Sequence, residues 1–229
     1  MEIEKGIEII DLGLYLKKYE TLIISDLHLG YEELLKEEGY LFPLNQYKDL
    51  IERLKKIIDK VKIERIIING DLKHDFGSIL RSEWKGVLDI LDFLKDKEVI
   101  IIKGNHDKMI EPIANKKGIK VVNRFDIDNI TIIHGDIIPI ELKEIVIIGH
   151  EHPAISFKDK PYEKFKVFLK GKFGKSKLIV MPSFNLIFPG TDIRKDKLLS
   201  PFLGKDISEF EVFIVEDKVY NFGKVKKNL

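Results

Sequence analysis

All six histidines of this chain fall inside five short polar motifs, and apolar runs precede these motifs. The last motif, Gly149-His150-Glu151-His152, puts two imidazoles one residue apart. Histidines that only filled a core or decorated a surface would not be distributed in this way, so the pattern indicates a metal site. The four earlier motifs are Ser25-Asp26-Leu27-His28, Asn69-Gly70-Asp71-Leu72-Lys73-His74, Gly104-Asn105-His106-Asp107 and Ile133-His134-Gly135-Asp136.

The candidate ligands of these motifs combine carboxylate, imidazole and amide oxygen. That mixture suits two divalent transition-metal ions, with manganese expected and iron, zinc or nickel as alternatives. Two ions about 3.5–4 Å apart clamp a phosphoryl group for in-line displacement, and a bridging hydroxide supplies the nucleophile at neutral pH. We expect Asp71 to be shared by both sites. The first site would contain Asp26, His28, Asp71 and His152, and the second Asp71, Asn105, His134 and His150.

Apolar strands alternate with helical patterns through the first two thirds of the chain. Strands are predicted at 21–25, 65–69, 98–103, 119–122, 130–134 and 144–149, and helical spacing at about 32–60 and 82–94. This alternation predicts a largely parallel sheet covered on both faces. Ligands of such sheets collect outside the carboxyl ends of the strands, so motifs far apart in sequence would meet along one edge.

The pattern changes to β-hairpins after His152. Residues 161–188 form one predicted hairpin with its loops, and the runs 210–215 and 219–222 flank a tight turn. No repeat or linker interrupts the chain. We therefore predict a single domain over 1–229, a β-sandwich with helices packed against it. Its motif core would span 21–153, and the hairpin and closing strands would span 154–229.

The composition excludes several classes of protein. The hydrophobic fraction of 44% and the charged fraction of 34% are typical of a folded protein, and no apolar run approaches the roughly 20 residues of a membrane span. Cysteine is absent, which excludes disulfides, thiolate metal sites and a cysteine nucleophile. The bias toward Ile, Lys and Glu indicates a heat-adapted protein of the cytoplasm.

The ordered motifs Asp-x-His, Gly-Asp, Gly-Asn-His-Asp, His and Gly-His-x-His resemble those of the calcineurin-like metallophosphoesterases. The resemblance covers residues 25–152. It implies a four-layered α/β/β/α sandwich, the two-metal assignment above and hydrolysis of phosphoric esters. It also implies that His106 lies beside the scissile phosphate without binding metal, and that Asp107 orients it. An imidazole placed there can protonate the leaving oxygen, a contribution of about 10²–10⁴ in rate.

A histidine three residues after the shared aspartate, His74, resembles the SbcD-type DNA repair nucleases and implies a role on the substrate side. The segments 181–185 and 190–192 are similar to those of compact SbcD-related phosphoesterases. Protein Ser/Thr phosphatases of this fold carry arginine just before Gly-Asn-His, where this chain has Lys103. The resemblance therefore favours a phosphodiesterase or nuclease.

Three functions remain open from the sequence. The first is hydrolysis of DNA, RNA or nucleotide diesters, the second is a phosphomonoesterase or small-nucleotide hydrolase, and the third is a non-catalytic scaffold. Lysines interleaved with aromatic residues in the hairpin could contact a nucleic-acid backbone. An equally weighted alternative is a solvated hairpin whose lysines guard an edge strand. The lysines assigned to nucleic-acid binding are Lys166, Lys170 and Lys172.

Overall fold

A seven-stranded mixed sheet forms one half of the computed structural model, which describes residues 1–40, 46–74, 81–204 and 206–228. Its first four strands form an antiparallel meander, and its last four are parallel neighbours. The order along the sheet follows the chain. The strands are β1 (Glu2–Glu4), β2 (Ile7–Ile10), β3 (Gly13–Leu16), β4 (Thr21–Ile24), β5 (Arg65–Asn69), β6 (Glu98–Ile102) and β7 (Lys120–Val122).

A nine-stranded mixed sheet contains the remaining strands. They are β8 (Phe125–Ile127), β9 (Ile130–Ile132), β10 (Ile145–Ile148), β11 (Pro153–Phe157), β12 (Lys160–Phe173), β13 (Ser176–Val180), β14 (Thr191–Asp192), β15 (Glu211–Val215) and β16 (Val219–Lys224). The main order is β14-β11-β12-β13-β10-β9-β8, and β15 joins β12 to β16. Strands β9, β10 and β13 are parallel neighbours.

Four α-helices are described, and all of them precede β7: α1 (Tyr31–Glu37), α2 (Gln46–Ile58), α3 (Arg81–Phe93) and α4 (Glu111–Lys116). Buried residues recur at helical spacing in α2, namely Leu50, Leu54 and Ile57. They join the buried strand residues of the first sheet in one apolar cluster. The helical patterns at 32–60 and 82–94 are thus confirmed, and residues 41–45 between α1 and α2 lie outside the described part.

Alternating side chains of the second sheet enter two different cores. In β10, Ile145 and Ile147 join the cluster shared with the first sheet, whereas Val146 and Ile148 face a second cluster. Successive strand residues point to opposite faces, so this sheet is covered on both sides. A 3-10 turn, Pro201–Leu203, packs in the second cluster. The predicted α/β sandwich of two sheets is confirmed.

The sequence pattern predicted one largely parallel sheet, but three of the later strands lie in the second sheet. Strands β4 to β7 form the predicted parallel set, but β8, β9 and β10 belong to the second sheet. Strand β12 is bonded to both β13 and β15 at Leu169 and Lys170, whereas Lys166 pairs with β11 and Lys172 with β13. Lys170 is therefore interior to the sheet, and the edge-guarding role of the other lysines stays a prediction. In the described part of the chain, no helix is both long and apolar enough to cross a membrane.

Candidate metal centre

The polar motifs follow the carboxyl ends of strands in both sheets. Asp26 and Asp71 come soon after the parallel neighbours β4 and β5, and His150 soon after β10. Carboxyl ends of parallel strands lie at the same edge, so the loops after β4 and β5 meet, and the loop after β10 reaches them from the second sheet. The backbone amide of His28 donates to Asp71 O at 2.9 Å, and that of His150 donates to Asp26 Oδ2 at 3.1 Å. The two sheets therefore present their functional loops to one another.

The first donor group gathers Asp26, His28, Asp71 and His152. One ligand atom from each lies within 4.8 Å of the others, and all four residues are buried. Asp26 Oδ1 is 3.1 Å from His152 Nε2, and the Nε2 atoms of His28 and His152 are 3.2 Å apart. This is the composition predicted for the first site.

The second donor group gathers Asp71, His134 and His150, with the amide of Asn105 beside it. His134 Nε2 lies 3.3 Å from Asp71 Oδ2, 3.1 Å from Asn105 Oδ1 and 3.2 Å from His150 Nδ1. Asp71 is therefore common to both groups. The structure brings together all seven residues predicted as ligands.

The donor set fits a pair of transition-metal ions. In each group two imidazole nitrogens converge to 3.2 Å with a carboxylate oxygen nearby. A hydrogen bond between two ring nitrogens uses a single proton and explains the approach of only those two atoms. Imidazole nitrogens and carboxylate oxygens that approach one another together are the ligands that divalent transition metals bind. These clusters could therefore bind divalent metal.

The carboxylates and imidazoles of the cluster shift one another's pKa values. Burial disfavours ionisation of Asp26, but the imidazoles of His152, His134 and His28 hold the pKa of its carboxyl well below the usual value. Burial and His152 together lower the pKa of His28 to about 3. Burial opposes a charge on His134 as well, yet the carboxylates of Asp71 and Asp26 raise its pKa to about 9. The carboxylates of Asp71 and Asp26 therefore favour a positive charge beside them, either a proton on His134 or a bound cation.

Left-handed backbone conformations are concentrated at the donor residues. Five of the predicted ligands have positive φ: Asp26 (56°), His28 (43°), Asp71 (47°), His150 (64°) and His152 (50°). This conformation costs an L-residue roughly 1–2 kcal/mol. Strain of this kind persists where the surrounding structure imposes it and clusters at functional sites. The strand ends therefore turn sharply to aim these side chains at a common centre.

Two motif glycines are required by close approach. A Cβ on Gly104 would overlap the carboxylate and the backbone nitrogen of Asp71, and one on Gly149 would overlap Ser25 Oγ. The backbone of each motif therefore packs directly against a neighbouring motif.

His74 and His106 lie beside the two donor groups. Their rings stack with centroids 5.6 Å apart, and His74 Nδ1 is 3.4 Å from His28 Nδ1. His106 Nε2 is 3.8 Å from Asp71 Oδ2. With His28 these two histidines form a third set of nitrogens within 4.8 Å of one another. The structure therefore brings both predicted substrate-side histidines to the cluster.

Asp107 contacts backbone amides, and its expected role of orienting His106 stays a prediction. Its buried carboxylate accepts hydrogen bonds from the backbone amides of Gly104 (3.0 Å) and Leu72 (3.1 Å), not from the His106 ring. Burial, with the charge of Asp71, raises the pKa of this carboxyl to about 7. The His106 Nδ1 atom instead contacts the carbonyl oxygen of His74. Asp107 therefore joins two motif loops, and the carbonyl group of His74 contacts the His106 ring.

Two of the three hairpin lysines expected to face a nucleic acid donate hydrogen bonds to carbonyl oxygens of the chain instead. Lys166 Nζ donates inward to Ser183 O (3.0 Å) and Phe188 O (3.1 Å), and burial lowers its pKa to about 7. Lys170 Nζ donates to Ile3 O at 2.6 Å and pairs with Glu4. Both ammonium groups are engaged within the chain, which corrects the expectation that they face a nucleic-acid backbone. Lys172 is exposed, and its part in binding stays a prediction.

The loop at 183–188 supports the first donor group. Ser183 Oγ donates to Asp26 O at 2.7 Å, and Asn185 Nδ2 donates to His28 O at 3.3 Å. Phe188 stacks on the His28 ring, with centroids 5.2 Å apart and planes 17° apart. Sequence reasoning assigned this loop no function. The sequence does contain an indication of this role, because the polar residues Ser183 and Asn185 closely follow a buried strand.

The model of the calcineurin-like phosphoesterases matches residues 19–171, which is more than half of the chain. The chain belongs to this family. Among solved structures, the nuclease MPE of Pseudomonas putida has 18% identity and a TM-score of 0.68, over 93% of this chain and 92% of that one. A protein of unknown function from Aquifex aeolicus has 17% identity and a TM-score of 0.40, over 62% and 82%. A comparison with curated proteins found no match. The likeness to the nuclease is one of fold.

Proposed function

We propose that the chain is a two-metal phosphodiesterase acting on nucleic-acid or nucleotide diesters. The observation that carries the proposal is the pair of donor groups joined through Asp71, with His106 beside them. Family membership supports hydrolysis of a phosphoric ester. The donor types favour manganese, with iron, zinc or nickel as alternatives.

The two ions would occupy the two donor groups and share Asp71. When bound, they would supply Lewis-acid stabilisation of the charge that develops on the phosphate, and an activated water. The chain would hold the ions through Asp26, His28, Asp71, Asn105, His134, His150 and His152.

His106 is the proposed general acid. The carbonyl oxygen of His74 can only accept, so the proton of this contact belongs to His106 Nδ1. Nε2 is then the nitrogen that can carry a second proton and release it to a leaving oxygen. His74 fixes that orientation through its carbonyl group and adds a second imidazole to the same side of the cluster.

A diester rather than a monoester substrate is favoured by the surroundings of the cluster. Lys103, at the position of the phosphatase arginine, pairs with Glu111 at 3.0 Å. A dianionic monoester gains more from such cations than a monoanionic diester does, so a neutralised cation suits the diester. The nuclease of similar fold from P. putida is consistent with a nucleic-acid substrate, which the exposed Lys172 could also contact.

Hydrolysis of bis-p-nitrophenyl phosphate and p-nitrophenyl phosphate by metal-stripped protein, reloaded with Mn²⁺, tests this proposal. We expect a higher kcat/KM for the diester and cleavage of labelled oligonucleotides. Faster turnover of the monoester would establish a phosphatase instead. Stoichiometric metal binding without turnover of either ester would indicate a scaffold. The matched control is Asp128→Asn, an exposed carboxylate paired with Lys18.

A further inference from the structure

An uncharged aromatic wall borders the first donor group. Phe188 covers His28 and meets the edge of the His152 ring at 4.8 Å. Tyr31 stands next to it, 5.1 Å from Phe188 and 4.8 Å from His74 between ring centroids. Both rings are half-buried. The wall therefore runs from a predicted metal ligand to a predicted substrate-side histidine.

The wall is held in place by hydrogen bonds to its backbone. Phe188 N donates to Asn185 Oδ1 at 3.1 Å, and Phe188 O accepts from Lys166 Nζ at 3.1 Å. Asn185 in turn donates to His28 O. Because the ring is anchored to the same residues that hold the ligand loop, it is preorganised and loses little conformational freedom when a partner stacks against it.

The chemistry of the wall suits a planar apolar group and not a phosphate. Neither ring carries a charge that could attract an anion. The apolar surface that both rings expose to water has a free-energy cost. A base stacked on an aromatic ring recovers that cost, whatever the identity of the base. A nucleic-acid or nucleotide diester bound at the cluster would carry a nucleoside directly on the scissile phosphate, and the two rings lie beside His28, His74 and His152.

We propose that Tyr31 and Phe188 form a base-stacking subsite that selects phosphodiesters with a nucleoside arm over simple alkyl or aryl diesters. This inference rests on the proposed phosphodiesterase function. The subsite would recognise the base by its π-face and would accept purines and pyrimidines alike.

The test compares two diesters with the same leaving group, thymidine 5′-(p-nitrophenyl phosphate) and methyl p-nitrophenyl phosphate. We expect the parent to favour the nucleoside ester through a lower KM. Phe188→Leu and Tyr31→Leu should each reduce the ratio of the two kcat/KM values at least about fivefold, the lower end of base–ring stacking. Tyr31→Phe should retain the parental ratio, as should Phe173→Leu, a half-buried ring packed on Phe202 in the hairpin.

An equal loss on both esters in the leucine variants would overturn the proposal, because the rings would then only support His28. A parent that cleaves both esters equally well would also overturn it while leaving the phosphodiesterase function intact. If neither ester is cleaved, the proposed function fails, and quenching of a 2-aminopurine dinucleotide by the protein tests the subsite alone. Quenching in the parent and its loss in Phe188→Leu would support stacking, and no quenching in the parent would exclude it.

Discussion

The backbone amide of His106 donates a 2.9 Å hydrogen bond to Asp71 Oδ1, on the carboxylate that both donor groups share. Asp71 Oδ2 lies 3.3 Å from His134 Nε2 in the second group. One carboxylate therefore positions the loop of the proposed general acid with one oxygen and serves the donor groups with the other. In the proposed mechanism, metal binding and proton transfer would be linked through this side chain.

Replacing Asp71 by Asn should separate these two roles. The amide oxygen can still accept the His106 hydrogen bond, so the fold should persist, but the charge needed by both sites is lost. We expect metal content to fall below one ion per chain and activity to fall more than about 100-fold, beyond the 10–100-fold cost of changing a residue that only supports a ligand. Elemental analysis and diester hydrolysis measure this. Two tightly held ions in the variant would refute a shared ligand.

His106→Ala should retain its metals and lose turnover by about 10²–10⁴, the range of a general acid. The loss should be largest for leaving groups of high pKa, since these need the proton most. A series of aryl diesters with leaving groups of graded acidity measures the trend. Lys108→Ala, an exposed residue of the same loop, is the matched control. A loss independent of the leaving group would exclude proton donation.

Gly104→Ala and Gly86→Ala should act in opposite directions. The added methyl at 104 overlaps Asp71, so metal binding and activity should be abolished. At 86, inside α3, the nearest atoms to the added methyl are those of Leu29 at 3.9 Å, an ordinary contact. Alanine there should stabilise the fold by about 0.5–1 kcal/mol. Thermal unfolding and metal content of both variants check the pair. Normal metal binding by Gly104→Ala would contradict the packing of these loops.

The half-buried Lys166 should give stability a distinct pH dependence. Its pKa is lowered by burial to about 7 in the folded protein, against about 10.4 in an unfolded chain. Between these pH values the unfolded state binds a proton that the native state does not, so the free energy of unfolding rises with pH. Below about pH 7 the ammonium group is charged in both states, and the full cost of burying that charge destabilises the folded protein. Relative to Lys166→Met, the free energy of unfolding of the metal-free parent should rise between about pH 7 and 10, at most by about 1.4 kcal/mol per pH unit.

Urea unfolding across that pH range measures the Lys166 effect. Lys172→Met, an exposed lysine of the same strand, should show no such change relative to the parent. A constant difference between parent and Lys166→Met from pH 6 to 10 would mean that the ammonium group stays protonated in the folded chain.

The sequence by itself determined the donor types and the strand ends that carry them. Apolar runs that end near Asp26, Asp71 and His150 indicate buried strands that open into polar loops, and such loops gather at the carboxyl ends of the strands. Local chemistry was therefore sufficient to group the seven candidate ligands around a shared Asp71, and the structure gathers them.

The tertiary structure alone decided which neighbours each side chain meets. Lys166 and Lys172 lie in the same strand, yet the first donates to Phe188 O inside the chain and the second is exposed. Asp107 follows His106 directly but binds the amides of Gly104 and Leu72. Sequence periodicity gives the face on which a residue lies, but hydrogen-bond partners depend on contacts between segments far apart in the chain, and only the packing of the two sheets fixes those contacts.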